Sequence, residues 1–516
     1  IWEVANRVHY PFDMTFRGRR SASLVLAATL LSGCAAGHTA VVDPAPAGQA
    51  GDALPVATPP PATSLDFTTV GGAAIPAALM NNVYETLVAI DSETGEVVPQ
   101  LATDWEVSAD GTHYVFQLRR GVRFSNGSPF NAETAAFSLD YVKNHWSNAL
   151  SSQMDVVKSA RATGEHELTV DLHQRSNSWL WQLGTTVGAM MTPNGVDQLA
   201  SHPVGTGPYA VSKFSPNEFV ALDPRDDYWG TPAAQPVTIS YFPDSLTALN
   251  ALRSGGADVV WAVQSPELLD DLPDGIEKQV GTTNGEVLLS LNNQAAPFDD
   301  PRVRQAVAYA IDRQAASEIL FGGLATDTGA APVAPTDPWF TGEDYYPFDP
   351  QRARQLLHDA GAVGAPITIT VPTLPYAQTA AELIYSQLTE VGFDVRLESA
   401  EFPAVWLGQV MGTHDYQVSL VSHVEPRDLT TLFGSPDYYL GYDSPRVREL
   451  FAAADTAATP EGFRALTSQA VDQIMAEAGA VTLMNMPNIV LSRPGVTGLR
   501  PDMVTDSVDL TEVSAR

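Results

Sequence analysis

Among 516 residues there are ten histidines and one cysteine, and their spacing limits the chemistry the chain can do. A lone thiol makes no intramolecular disulfide and no cysteine-based zinc cluster. No Gly-x-Ser-x-Gly elbow presents a serine nucleophile and no His-Glu-x-x-His pair sets two imidazoles on one helical face, so an enzyme is not expected. His423 stands without a second histidine or a cysteine nearby, so no metal site is expected there. The imidazole remains a candidate contact for a ligand carboxylate or a metal chelate. The run Gly205-Thr206-Gly207-Pro208-Tyr209 could suggest a phosphate cradle, but the third glycine is missing and Pro208 removes an N–H donor such a cradle needs. A tight crossover is expected instead, with positive φ and close backbone approach at the glycines.

The thiol's position is more informative than its number. Met14 opens a stretch containing Arg17, Arg19 and Arg20, and an apolar or small run follows from Ser21 to Leu31. About eleven such residues fall short of the roughly 20 that span a bilayer. Basic flank, short apolar run and small residues together read as an export signal, assigned to 1–33. Leu31-Ser32-Gly33-Cys34 then resembles the bacterial lipobox, in which the cysteine becomes the first mature residue and carries lipid; the alternative is a buried free thiol. Glu3 and Asp13 precede the basic stretch, so translation is expected to start at Met14. The segment 34–52, rich in Ala, Gly and Pro, reads as a lipidated flexible tether.

Charge and composition narrow the function classes. Sixty acidic residues against 28 basic ones give a net charge of −32, which repels phosphate backbones and argues against a nucleic-acid partner. Nine Trp, 16 Tyr and 19 Phe within a 44% hydrophobic chain argue for packed cores rather than an acidic disordered polymer. At about 150 residues per domain the length suggests two to four domains.

From about residue 53 the hydrophobic pattern alternates between periods. Strands are expected over 112–118, 237–242, 257–263, 286–291, 367–371 and 417–421. The alternation of Tyr114, Phe116 and Leu118 with His113, Gln117 and Arg119 assigns the aromatics to a core. Helices are expected to start at Asp300-Pro301, Asp349-Pro350 and Ser444-Pro445, where a capping side chain precedes a proline whose missing N–H costs nothing in the first turn. Another runs from Asp244 and stops at Gly255. Strands mixed with helices indicate an α/β protein.

The blocks between these elements carry a resemblance. Tyr84-Glu85-Thr86-Leu87, Glu96-Val97-Val98-Pro99-Gln100-Leu101-Ala102, Trp105, Leu118-Arg119-Arg120-Gly121-Val122-Arg123-Phe124 and Asn126-Gly127 are followed in order by further blocks. These are Pro203-Val204-Gly205-Thr206-Gly207-Pro208-Tyr209, Tyr228-Trp229-Gly230, Leu252-Arg253-Ser254-Gly255, Asn292-Asn293 and Pro297-Phe298-Asp299-Asp300-Pro301. The set resembles the extracellular solute-binding proteins of family 5, the peptide, nickel and opine receptors of ABC importers, over about 53–500.

The resemblance implies a periplasmic-binding-protein type II fold with three lobes, a hinge and an interlobe ligand cleft. Lobe I is expected at 53–90, 205–290 and 495–516, lobe II at 91–204 and lobe III at 291–494. It also implies a receptor that closes on short peptides or peptide-like solutes and delivers them to ABC permease subunits, without chemistry on the ligand and without a cofactor. A metal chelate, an opine-like compound or an oligosaccharide is the alternative cargo. With the lipid anchor at Cys34, a monomer held at the outer face of the cytoplasmic membrane is expected. In many members the acid that pairs with the ligand's ammonium follows a Trp at the end of a lobe III strand. Here the Trp is absent from Ser419-Leu420-Val421-Ser422-His423-Val424-Glu425-Pro426-Arg427-Asp428, and the acid's position falls on or beside Val424. Ser422, His423, Glu425 and Asp428 are therefore the candidate contacts of this stretch, each acid being equally readable as a solvated loop charge. Gly72 and Ala73 correspond to a lobe I segment bordering ligand. Phe402 and Trp406 correspond to a side-chain pocket, or else form one aromatic core stripe.

Overall fold

Helix starts and stops follow the sequence signals. Pro301–Ala310 begins after Asp300, whose carboxylate accepts from Arg302 N, and Pro350–Ala360 begins after Asp349 and ends at Gly361 in the left-handed region. Ser245–Ser254 is capped by Asp244 and stops at left-handed Gly255. Pro445–Asp455 also starts where expected, but the Ser444 side chain makes no capping bond; its hydroxyl donates to Glu477 instead. The computed structural model describes residues 53–58, 61–69, 72–92, 94–269 and 272–515. Cys34, the export signal and the tether lie outside the described residues.

One ten-stranded sheet runs through the molecule in the order Asp394–Ala400, Pro366–Pro372, Val418–His423, Glu277–Leu291, Val481–Ser492, Val259–Val260, Leu54–Thr58, Val237–Tyr241, Phe219–Pro224 and Tyr209–Ser215. The expected strand over 257–263 shrinks to Val259–Val260, because Ala262 turns away with φ 58°. At the middle of the sheet the two long strands Glu277–Leu291 and Val481–Ser492 pair antiparallel. Their register holds from Glu277 opposite Ser492 to Thr282 opposite Pro487, then resumes with Glu286 opposite Asn485. The extra residues between Thr282 and Glu286 form a bulge that breaks the ladder and bends the ribbon. The expected lobe limits 290/291 and 494/495 fall near the C-terminal ends of these two strands.

Burial divides at the bulge, so that Val287, Leu288 and Leu289 fall in one core and Val490 in the other. One large core is built from Val287 to Met484, the other from Leu54 to Trp261 together with Val490, Val496, Val508, Leu510 and Val513. A smaller cluster lies under the helix Ser245–Ser254. Each fully buried Leu, Val or Phe is worth about 1.5–3 kcal/mol, so both halves have ample cores of their own. A separate antiparallel sheet, Ala102–Val107, His113–Leu118, Glu167–Leu172 and Val157–Gly164, carries Tyr114, Phe116 and Leu118 on its buried face as the alternation required.

The glycine crossover is real, with one correction. A Cβ on Gly205 would lie 1.9 Å from Val83 O and one on Gly207 2.5 Å from Asn82 O, so both glycines serve close backbone approach. Neither has positive φ, contrary to expectation. The Arg225 guanidinium closes the knot by donating to Gly205 O, Gly207 O and Arg123 O. Among the described residues no helix is long and apolar enough to cross a membrane.

Candidate functional site

The bulge between the two long strands is the floor of a cavity of about 350 Å³. Thr283, Asn284, Gly285, Met486, Pro487 and Asn488 form that floor. One wall comes from the first half of the molecule, through Val56, Ala73, Ala77, Ile239, Tyr241 and Trp261. The opposite side includes Phe321 and Val424, and the C-terminal segment adds Met503, Asp506, Val508 and Leu510. A volume near the lower end of the range for ligand pockets suits a small solute.

The residues lining the cavity include polar groups that nothing among the described residues satisfies. Trp261 Nε1, the Tyr241 hydroxyl and Asn488 Oδ1 are buried and make no hydrogen bond among the described residues. Each such group costs roughly 1–3 kcal/mol when left unpaired. All three belong to residues that line one apolar space. Ala262, beside Trp261, lies in the same wall with a left-handed backbone, a conformation that concentrates at ligand sites.

The candidate residues divide around this cavity. Ala73 and Val424 line it; Gly72 is exposed at φ 105°, with open space where a Cβ would stand. Phe402 and Trp406 do not line it. They pack on the core of the second half with ring centroids 5.8 Å apart, and Trp406 Nε1 donates to Ser419 Oγ at 3.0 Å, so they are the core stripe. The Ser422 hydroxyl is in hydrogen-bonding contact with Met486 Sδ at 3.0 Å, behind the floor.

His423, Glu425 and Asp428 do come together, with one ligand atom of each within 4.8 Å of the others. Counting histidines and cysteines missed this grouping, because the two carboxylates supply the other donors. His423 is buried between strands, stacked on Tyr439 and sharing a hydrogen bond of 2.8 Å between its Nε2 and the Tyr439 hydroxyl. Burial lowers its pKa, whereas burial and the Glu425 and Asp337 charges raise that of Asp428 well above the usual range. The 3.8 Å approach of His423 Nδ1 to Asp428 Oδ2 thus joins two groups whose charged forms are both disfavoured by burial. Such a set is suited to a cation, whose charge would favour the ionised form of Asp428.

Three further carboxylates share this neighbourhood. Glu286 pairs across the sheet with His423, is almost wholly buried with Oε2 unpartnered, and is pushed well up by burial and by Asp428 and Asp337. Asp337 is raised to about 6 by burial, although Arg427 partly offsets this. Asp506 is raised to about 7 by burial and by the charge of Glu425. A neighbouring cation is occupied elsewhere: the Arg427 guanidinium sits 4.0 Å from the Trp181 ring centroid and 5.2 Å from that of Trp339, with Nε 3.5 Å from Asp337. Asp506, Glu286, Trp261, Tyr241 and Asn488 carried no signal in the sequence. Each sits in an ordinary strand or loop and gains meaning only from what it faces.

Residues 96–440 match the model of the bacterial extracellular solute-binding proteins, family 5. The chain is 29% identical to the probable ABC transporter periplasmic-binding protein SapA of Escherichia coli (strain K12) over 356 residues, 62% of this chain and 64% of the relative. The match thus spans a little under two thirds of that relative's length. The DppA periplasmic binding protein of Helicobacter pylori, solved with the peptide STSA, superposes with a TM-score of 0.76 at 25% identity over 90% of this chain and 98% of that one. NikA of Brucella suis, solved with Fe(III)-EDTA, does so with a TM-score of 0.79 at 21% identity over 90% of this chain and all of the other. The fold is accordingly that of the type II periplasmic binding proteins, and the chain belongs to the family 5 extracellular solute-binding proteins.

Proposed function

We propose that this protein is the substrate-binding receptor of an ABC importer, closing its lobes on a short peptide or peptide-like solute and presenting it to the membrane permease. The observation that carries the reading is the cavity over the bulge of the two long strands, a space walled by both halves and lined by Trp261, Tyr241 and Asn488, each of which keeps a buried polar atom unpartnered among the described residues. Two strands bending at one bulge are a hinge, and contacts made only in the closed form shift the population toward it. In this reading lobe I comprises 53–90, 205–290 and 495–516, lobe II 91–204 and lobe III 291–494. An extended peptide would use main-chain hydrogen bonds, with its ammonium near Glu425 and Asp428. Cys34 would carry the lipid that holds the receptor outside the cytoplasmic membrane.

The test is to strip ligand by unfolding and refolding, then screen peptides, metal chelates and sugars by thermal shift. A ligand at about 100 times its dissociation constant adds about 2.7 kcal/mol. Stabilisation by peptides supports the reading; a response to a chelate or sugar alone replaces the peptide cargo with the second class, for which the His423, Glu425 and Asp428 grouping is the supporting feature. Replacing Cys34 by Ala should release the protein from membranes, read by fractionation and by incorporation of labelled fatty acid.

A further inference from the structure

Resting on the receptor reading, we propose that the cargo is an apolar organic cation that carries no free carboxylate into the cavity, and that Asp506 is a specificity-determining residue that selects it. The cavity's charge is one-sided. Among the described residues, those lining it include no Lys, Arg or His, and Asp506 supplies the one ionisable carboxylate of the wall. Arg427, the neighbouring guanidinium, is held away in its cage of Trp181, Trp339 and Asp337.

Asp506 itself makes no hydrogen bond or ion pair among the described residues, and the charge it feels is that of Glu425, from the opposite half of the molecule. A carboxylate at the cavity wall within reach of a second negative charge is disfavoured when the cavity is empty; a cation beside it reverses the sign of that interaction. An independent feature points to a ligand in the same space. Asn488 is 1% exposed, lines the cavity and leaves Oδ1 unpartnered while its Nδ2 donates to Pro501 O. Asp506 and Asn488 Oδ1 both accept, so the cargo must donate to them. Trp261 Nε1 donates, so the cargo must also offer an acceptor, which a neutral carbonyl supplies. A cargo carboxylate could accept from Trp261, but it would enter a cavity whose described lining supplies no counter-charge, beside Asp506 and the charge of Glu425, and an unpaired buried charge is strongly disfavoured. The remainder of the wall, Ala73, Ala77, Ile239, Phe321, Met486 and Leu510, fits an apolar body.

The experiment measures calorimetric affinities of the refolded, ligand-free protein for four matched probes: leucyl-leucinamide (a cation), leucyl-leucine (a zwitterion), N-acetyl-leucyl-leucinamide (neutral) and N-acetyl-leucyl-leucine (an anion). The cation should bind at least about tenfold more tightly than the zwitterion, a difference of about 1.4 kcal/mol, and the anion most weakly. Asp506→Asn should erase most of the preference of the cation over the neutral probe while leaving the neutral probe's affinity within about twofold. Equal or tighter binding of the zwitterion or the anion overturns the inference, as does an unchanged preference in Asp506→Asn. If none of the four binds but a sugar or a chelate does, the cation inference fails and the receptor reading stands. If no solute of any class binds, both fall.

Discussion

Two carboxylates with nearly the same titration, Glu85 buried and Asp506 half-buried, behave as opposites. Glu85 and Asp506 are both raised to about 7 by burial. Glu85 accepts from the Tyr228 hydroxyl at 2.9 Å and from Trp229 Nε1 at 3.0 Å, inside the core of the first half. Asp506 faces a cavity and another carboxylate. The first acid ties together two blocks, Tyr84-Glu85 and Tyr228-Trp229, that are far apart in the chain; it is a structural pin. The second costs free energy until a ligand arrives. A displaced pKa therefore marks burial in both cases, and only the partners distinguish support from recognition.

The sharpest way to break this comparison is to remove each acid. Glu85→Ala strands two half-buried donors and should cost about 1–3 kcal/mol in urea unfolding, with cargo affinity unchanged in the protein that folds. A loss below about 0.5 kcal/mol would mean that Glu85 is no pin. Asp506→Asn removes a carboxylate that faces Glu425 and should stabilise the empty protein by about 2 kcal/mol at pH 7.5; a destabilised variant would show that Asp506 has a structural partner.

Acidity gives the next test. For both acids the folded pKa lies above the unfolded value near 4, so the folded state binds more protons between about pH 4 and 7. Their contribution to stability is present in full below the unfolded pKa and is lost as pH rises to about 7, at up to about 1.4 kcal/mol per pH unit for each group. Glu286 and Asp428 shift in the same direction and add to the slope. Asp506→Asn should flatten it, and so should a saturating cationic cargo, which keeps Asp506 ionised. An unchanged slope in chemical unfolding between pH 4.5 and 7 would contradict the assignment.

A smaller contrast separates two tryptophans. Trp406 donates to Ser419 Oγ, so Trp406→Phe should lose about 1 kcal/mol of stability and leave cargo affinity alone. Trp261 Nε1 has no partner among the described residues, so Trp261→Phe should cost no hydrogen bond in the empty protein but weaken cargo binding. The reverse pattern in thermal shift and calorimetry would exchange their roles.

Much of the scaffold was legible in the chain because it is encoded locally. Asp300, Asp349 and Asp244 announce helix starts, Gly255 and Gly361 end helices, and the alternation through Tyr114, Phe116 and Leu118 names a buried face, since each depends on neighbours within a turn or two. Ordered blocks from Tyr84 to the Pro350 helix carried the family. Sequence order also placed the loop of His423, Glu425 and Asp428, but not the pairing that buries His423 against Tyr439 and Glu286. What only the tertiary structure decided was the site itself. Trp406 and Trp261 look alike in the chain, yet one is held by Ser419 and the other opens into the cavity. Asp506 and Glu425 lie 81 positions apart, and their confrontation exists because the chain returns from the strand Val481–Ser492 to the first half of the molecule. Hydrophobic period and capping act over a few residues, whereas charge and unsatisfied hydrogen bonds act through space, so the recognition chemistry of this protein came into being only when its two halves met.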